Sequence, residues 1–441
     1  MKTIDFTKYY NILEKTDTLE YAGRVTKIVG LAVEASGPAS KIGDVCEMFT
    51  LNGDRSVRAE IVGFRDGRTL LMPFGSVEGV GLGSYVMYTG KSLRVPVGKE
   101  LTSRILDALG NPFDGLPIPK TEDWYPADNV PPNPLARKRI HEVLPLGIKA
   151  IDSMLTVGRG QRLGIFSGSG VGKSTMLGMI ARYAVADVNV IVLVGERGRE
   201  VRDFIERDLG EEGLRKSVLD IATSDQPALL RLKCAMTGTA IAEYFRDCGY
   251  QVLLLMDSLT RFAMAQREIG MAAGEPPVSR GFPPSVYTIL PKLLERSGMS
   301  DKGSITGLYT VLVEGDDLNE PISDTVRGIL DGHIVLSRAI ANSNHYPPID
   351  ILGSVSRVMP EIVTREHFEA FGSMKNMIAV YREAEDLINI GAYKRGANPE
   401  IDRAVKLHPA IQGFLKQSMY ESLTFEETLK MMSGIINSNL Q

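Results

Sequence analysis

The rhythm of apolar and polar positions changes three times along this chain. Residues 21 to about 90 alternate short β-branched stretches (RVTKIVGLAVEA, VCEMFTL, AEIVGF, TLLMPF) with turn signals at Gly37-Pro38, Asn52-Gly53 and Asp66-Gly67. Period-two patterning punctuated in this way predicts a small β-barrel. From 92 to 145 the chain is rich in Pro and Gly (GNPFDGLPIP, NVPPNPLARKR), which suits a connector packed over a neighbouring domain better than a separate fold. Unbroken apolar runs then take over (RLGIFSG, VNVIVLVG, QVLLLMD, GLYTVLVEG), alternating with helix-period segments such as TMLGMIARYAVA and PALLRLKCAMTGTAIAEYFRDCG. Strands apolar on both faces, separated by helices, predict βα units on a parallel sheet from about 146 to 370. Beyond it Met374, Met377, Ile378 and Tyr381 form a helical stripe, and TFEE at Thr424 to Glu427 reads as a capping box opening a last helix. At the very start Phe6, Tyr9, Tyr10 and Leu13 recur at i, i+3, i+4 and i+7, the spacing of an amphipathic helix. The expected layout is therefore an amphipathic segment at 1–18, a barrel at 19–91, the connector with an α/β domain at 92–370 and a helical domain at 371–441.

Composition narrows the function classes. A chain of 441 residues, 44% hydrophobic and 24% charged, predicts two to four domains of an ordinary soluble globular protein. With 50 Lys and Arg against 54 Asp and Glu, no global basic field recommends nucleic acid or an anionic membrane as the main partner. Cys46, Cys234 and Cys248 form neither a disulfide framework nor a CxxC pair, and the five histidines are scattered. A reducing cytoplasm is the expected compartment, since no apolar run approaches the length of a membrane span and MKTIDFTKYY lacks the core of a signal peptide.

The chemistry concentrates in GQRLGIFSGSGVGKSTMLGMI, residues 160 to 180, where a predicted strand runs into a glycine-rich turn and then a helix. Backbone N–H groups along Gly168, Ser169, Gly170, Val171 and Gly172 are suited to surround phosphate oxygens at a helix N-terminus. Lys173 supplies a cation for the outer phosphates, the Ser174 hydroxyl a ligand for Mg²⁺, and Thr175 completes the loop. A strict P-loop has Gly where this chain has Ser167, at the strand end. Hydrolysis needs two further groups. Asp257, ending QVLLLMD, is placed to hold Mg²⁺ through its water shell, and Glu196, ending VNVIVLVGE, is a candidate general base. An ion pair to Arg197 or Arg199 is the other use open to Glu196.

Together LPLGIKAID, GSGVGKST, VGERGREVRDF, LLLMDSLTRFAMAQREI, LPKLLERSG, LDGHIVLSR and YPPIDILGSVSRVMP resemble the catalytic ATPases of the rotary ATP synthase superfamily. Within it GRVTKIVGLAVEASGP, GEPPVSRGFPPSVYTILPKLLERSG and IGAYKRGANPEID are most similar to the flagellum-specific ATPase of the type III protein export apparatus. The resemblance spans nearly the whole chain. It implies a β-barrel, a RecA-like P-loop ATPase domain and a C-terminal helical domain, assembled as a homohexamer that uses ATP and Mg²⁺ to energise export. It assigns the water-activating role to Glu196, phosphate-side roles to Arg197 and Arg261, adenine stacking to Tyr346 and an arginine finger to Arg357. Turn packing for Tyr346 and an exposed ion pair for Arg357 are the bland alternatives. The resemblance also implies a regulator protein at the N-terminal stripe and a central stalk protein and chaperone–cargo complexes at the C-terminal helices. It further implies peripheral attachment to the membrane export gate. The stripe's bland alternative is packing onto its own barrel.

Four rivals share some of these features: the ATPase of a virulence-type injectisome, an ATP synthase catalytic subunit, an RNA motor like the terminator Rho, and a non-catalytic nucleotide-binding subunit. VEGDDLNEPISD and AYKRGANPEID favour the export branch over the synthase. Residues 1 to 90 hold 10 Lys and Arg against 11 Asp and Glu and no basic-aromatic platform, which disfavours the RNA motor. Glu196 disfavours the non-catalytic reading.

Overall fold

A computed structural model describes residues 6, 10, 21–37, 40–121, 123–313, 315 and 317–437. Tyr9 and Leu13 of the amphipathic stripe lie outside the described residues, as do Pro38 of the first turn signal and Glu314 and Asp316 of VEGDDLNEPISD. The chain divides into two compact units, residues 1–93 with the short segments 227–229 and 268–276, and the remainder from Arg94.

In the first unit, strands β1 (Tyr21–Val29), β2 (Ala32–Ser36), β3 (Asp44–Phe49), β4 (Ser56–Arg65), β5 (Arg68–Pro73) and β6 (Tyr85–Ser92) close into a barrel in the order β1-β2-β5-β4-β3-β6. Its interior is filled by Val25, Val33, Ala35, Met48, Ile61, Leu71 and Val86. The Asp66-Gly67 turn behaves as the alternation predicts: Arg65 faces Arg68, and both turn residues take positive φ, 48° and 70°. That is the two-residue geometry whose twist matches the flanking strands.

The second unit is built on a nine-stranded sheet. The connector adds β7 (Arg94–Val97), β8 (Ile105–Asp107) and β9 (Asp123–Pro126); the domain proper adds β10 (Arg162–Ser167), β11 (Val188–Glu196), β12 (Ser217–Thr223), β13 (Gln251–Asp257), β14 (Gly298–Met299), β15 (Ser304–Leu312), β16 (Gly332–Leu336) and β17 (Val355–Ser356). The sheet order is β17-β16-β10-β15-β13-β11-β12-β8, with β14 beside β15 and β7 paired to β9 alone. Only β14 and β17 run antiparallel to their neighbours in this sheet. The connector therefore does more than pack over a domain, since three of its residues form the sheet's edge strand β8. So short a strand leaves no periodic signal. Strands β12 and β16 also escape the apolar-run reading, because Asp220 interrupts one and His333 the other.

Helix Ala228–Asp247 is tied to the connector by a buried network. Arg296 donates to Glu243 at 2.9 and 2.8 Å and to the Ala127 carbonyl at 2.7 Å, while Asn129 donates to Glu243 at 3.0 Å. The tail forms helices Arg365–Asn389, Pro399–Leu415 and Phe425–Asn437. Their Met374, Met377, Leu407, Phe414 and Met432 join one continuous core with Leu163, Ile165, Leu177 and Leu255 of the α/β layer. The capping box forms as its spacing predicts: the Thr424 N–H donates to Glu427 at 2.9 Å and the Glu427 N–H to the Thr424 hydroxyl at 3.2 Å.

Candidate functional site

The site is made where strand order and strand direction coincide. In a parallel sheet every strand ends on the same edge, so β10, β11 and β13 deliver Ser167, Glu196 and Asp257 to one rim although they are far apart in sequence. Between β10 and helix Lys173–Tyr183 the chain turns through Gly170 and Gly172 at φ 77° and 87°, left-handed conformations that admit glycine without strain. Such a turn at a helix N-terminus forms a concave anion site. Gly178, one face inward, lets the helix approach the Asp208 backbone, since a β-carbon there would come within 2.5 Å of the Asp208 oxygen.

Lys173 lies between two carboxylates. Its Nζ is 2.5 Å from Asp257 Oδ1 and 3.7 Å from Glu196 Oε1, and the three side chains are only 12, 7 and 12% exposed. Thr310 donates to the same Asp257 oxygen at 2.7 Å, which fixes the carboxylate's orientation. Glu196 is aimed here by a bulge: the β11–β12 register slips between Val194 and Glu196, and Gly195 at φ 69° sits against Arg261. The sequence left Glu196 a choice between arginine partners and catalysis. In the structure Arg197 pairs with Glu200 at 3.4 Å and Arg199 with Asp203 at 3.7 Å, while Glu196 faces Lys173 and its buried Oε1 accepts no hydrogen bond.

Burial and the Asp257 charge push the Glu196 carboxyl up to about 7, against the opposing pull of Lys173. Burial alone would lower the Lys173 ammonium, but Asp257 and Glu196 outweigh it and hold the ammonium above its ordinary value. A cation that stays charged beside a base poised near neutrality suits acid–base chemistry on an anionic substrate.

An open cavity of about 880 Å³ extends from this point, lined by Gly168, Ser169, Gly170, Gly172, Lys173, Ser174, Thr175, Glu196 and Arg197. It gathers further residues that the sequence reading did not single out: Arg207, Thr260, Arg267, Arg280 and Arg338, in addition to Arg261. Seven cationic side chains thus line it against the carboxylates of Glu196, Glu200 and Glu320, a field that favours a polyanion. The Arg261 Nε is buried without a hydrogen-bond partner. Arg267, Arg280 and Arg338 were visible in the quoted motifs LLLMDSLTRFAMAQREI, GEPPVSRGFPPSVYTILPKLLERSG and LDGHIVLSR; nothing local marks Arg207.

Of the remaining predicted residues, three lie beside the glycine loop and one lies away from it. Ser167 and Val171 are buried behind the loop. Tyr346 is 46% exposed, with its ring 3.4 Å from where a β-carbon on Gly172 would lie. Arg357 is not brought to the cavity of its own chain. Its N–H donates to the Asp331 carbonyl, beside the start of β16, and β16 runs on to Leu336 before reaching the edge that carries the glycine loop.

The donor set bears on metal. Among the described residues no group of three or more His, Cys, Asp or Glu side chains could hold an ion alone. A helix-N-terminal hydroxyl, Ser174, and a rim carboxylate, Asp257, are hard oxygen donors of the kind that hold Mg²⁺ together with substrate phosphates. They fit that ion.

Known proteins resemble this chain along nearly its whole length. The nucleotide-binding domain of the ATP synthase alpha/beta family matches residues 147–356, the beta-barrel domain of the same family residues 25–90, and the T3SS EscN ATPase C-terminal domain residues 363–434. The flagellum-specific ATP synthase of Bacillus subtilis is 53% identical over 96% of this chain and 97% of its own length. The type 3 secretion system ATPase of Xanthomonas euvesicatoria is 49% identical over 94% and 93%. The assembled ATPase EscN from the enteropathogenic E. coli type III secretion system superposes with a TM-score of 0.89 at 46% identity, covering 94% of this chain and all of that one. EscN in complex with its central stalk EscO gives 0.87 at 45% identity over the same shares.

Proposed function

The chain belongs to the ATP synthase alpha/beta family, in the branch of the flagellum-specific and type III secretion ATPases, and from that premise we propose how it works. It is an ATPase, and the reading supported best is Mg²⁺-dependent hydrolysis of ATP that energises type III export of flagellar proteins. Relatives carrying the flagellar name recur at 44 to 53% identity over nearly the whole chain. The observation that carries the catalytic assignment is the Asp257–Lys173–Glu196 array at the mouth of the glycine loop, with Glu196 Oε1 facing Lys173 and accepting no hydrogen bond.

In this reading the loop from Gly168 to Gly172 binds the phosphates through its backbone, and Thr175 closes the loop. Lys173 leaves Asp257 for the outer phosphate oxygens, exchanging one anionic partner for a stronger one. Glu196, deprotonated, orients a water for in-line attack and takes its proton. The arginines of the cavity wall, Arg197 and Arg261 among them, neutralise charge as it spreads over the phosphoryl oxygens. Ser174 and Asp257 would hold Mg²⁺, which when bound would supply neutralisation of the phosphate charge. Tyr346 stacks on the adenine. Arg357 is a finger for the site of a neighbouring copy, which makes a homo-oligomer, a hexamer in this reading, the working unit.

The same premise suggests a central stalk partner, as EscN has in EscO, and the reading places it at the tail helices. A regulator at the N-terminal stripe, chaperone–cargo complexes at the tail and a cytoplasmic position against the membrane export gate complete the proposal. No helix among the described residues is long and apolar enough to cross a membrane, so attachment would be peripheral. The injectisome branch is the runner-up; motility and flagellin secretion in a deletion strain separate the two.

Lys173→Ala tests the catalytic core. The folded variant should lose several orders of magnitude in MgATP turnover, because it removes the charge-assisted contact to the transferred group. Near-normal hydrolysis by a variant with wild-type melting behaviour would falsify the assignment.

A further inference from the structure

The backbone of Tyr346 is held from the far end of the chain. Its carbonyl accepts a 3.0 Å hydrogen bond from the N–H of Gln417, just past the end of helix Pro399–Leu415. Gln417 is itself clamped: its Oε1 accepts from the Lys149 N–H at 2.8 Å, and its Nε2 donates to the carbonyls of Gly147 and Glu421, both at 2.9 Å. Both donors of the amide are used, and the side chain is 6% exposed, so the network is buried and satisfied. Its neighbours repeat the pattern. Lys149 Nζ meets Glu421 at 2.8 Å, and the Met419 carbonyl accepts from Arg182 at 2.7 Å and from Tyr183 at 3.2 Å. Arg182 and Tyr183 are the last two residues of the helix that begins at Lys173.

We infer that Gln417 is a positioning residue for the nucleotide base. Its side chain anchors residues 417–421 to Gly147 and Lys149, and the main-chain N–H so fixed sets where Tyr346 stands over Gly172. The inference rests on the reading of Tyr346 as the base-side aromatic. Gln417 touches neither the loop nor the array around Lys173, so its effect falls on how tightly ATP is bound and not on how fast the bound phosphoryl reacts.

The test is a cycle of Tyr346→Ala, Gln417→Met and the double variant, with steady-state ATP hydrolysis and thermal melting measured on each. Gln417→Met keeps the volume and deletes all three side-chain hydrogen bonds. Gln417→Glu keeps the acceptor for Lys149 and loses both donors, and it serves if the methionine variant fails to fold. We expect KM for ATP to rise about tenfold in either Gln417 variant, the loss of one well-placed hydrogen bond, with kcat within about twofold. The double variant should be no worse than Tyr346→Ala, because both changes remove the same constraint. A raised KM in Tyr346→Ala with an unchanged KM in both Gln417 variants overturns the positioning role while sparing Tyr346. An unchanged KM in Tyr346→Ala removes the base reading and the inference with it. A parallel fall of kcat, or strictly additive effects, makes Gln417 a purely structural residue and equally overturns it.

Discussion

Glu196 owes its chemistry to position more than to identity. The same carboxylate on an exposed turn would ionise near 4.5, whereas burial beside Asp257 carries it to about 7. As a base it is competent only when deprotonated, so kcat/KM should rise with pH through a pKa near 7 and level off above it. A profile flat from pH 5.5 to 8.5 would remove Glu196 from the proton-transfer role. Glu196→Gln should keep nucleotide affinity, since the amide retains the shape beside Lys173, and lose on the order of 10²–10⁴ in turnover. Loss of binding in that variant, measured by equilibrium titration, would make Glu196 a structural residue instead.

At the scale of the element, β12 carries a titratable group with no catalytic use. Asp220 lies wholly buried on that strand, with one oxygen unpartnered and the other near the Cys234 thiol at 3.6 Å. Burial first, and then the Asp107 charge on neighbouring β8, push its carboxyl well above the usual carboxylate range. A folded-state pKa above the unfolded one means that folding takes up a proton. The stability tied to Asp220 is therefore present in acid and is lost as pH rises beyond its unfolded value of about 3.8. Asp220→Asn, neutral at every pH, should melt close to wild type near pH 3 and increasingly above it as pH rises to 9. A variant whose melting temperature runs parallel to wild type across that range would show that Asp220 is not held neutral.

The molecule as a whole keeps apart two residues that the proposed mechanism joins, Glu196 and Arg357. Glu196 ends β11 at the nucleotide-facing edge, while Arg357 stands beside the first residue of β16, four residues or about 13 Å of strand from the end of β16 at that edge. If the finger acts between copies, Arg357→Ala should bind ATP almost normally and turn over about 10³-fold or more slower. Mixing it with Glu196→Gln should restore part of the activity, because some interfaces pair an intact base with an intact finger. Mixed assemblies that form and stay inactive, while wild-type mixing controls work, would place the finger within its own chain or nowhere.

Local order was enough to determine a large part of this protein. The glycine turn, the carboxylates ending apolar strands, the Asp66-Gly67 hairpin and the Thr424 capping box each depend on residues a few positions apart, so neighbouring side chains carry their physics. Only the tertiary structure decided that Glu196 turns to Lys173 and away from Arg197 and Arg199. It also brought Asp257 to Lys173 across 84 residues, because β15 and β13 separate β10 from β11 in an order no spacing reveals. It recruited Arg207 and Arg280 to the cavity and joined the tail helices to the core of the α/β layer. It set Gln417 beneath Tyr346 as well. Those arrangements depend on how buried apolar surfaces stack and on which charges then share a low-dielectric space. Both are properties of the packed chain, and periodicity along the sequence does not carry them.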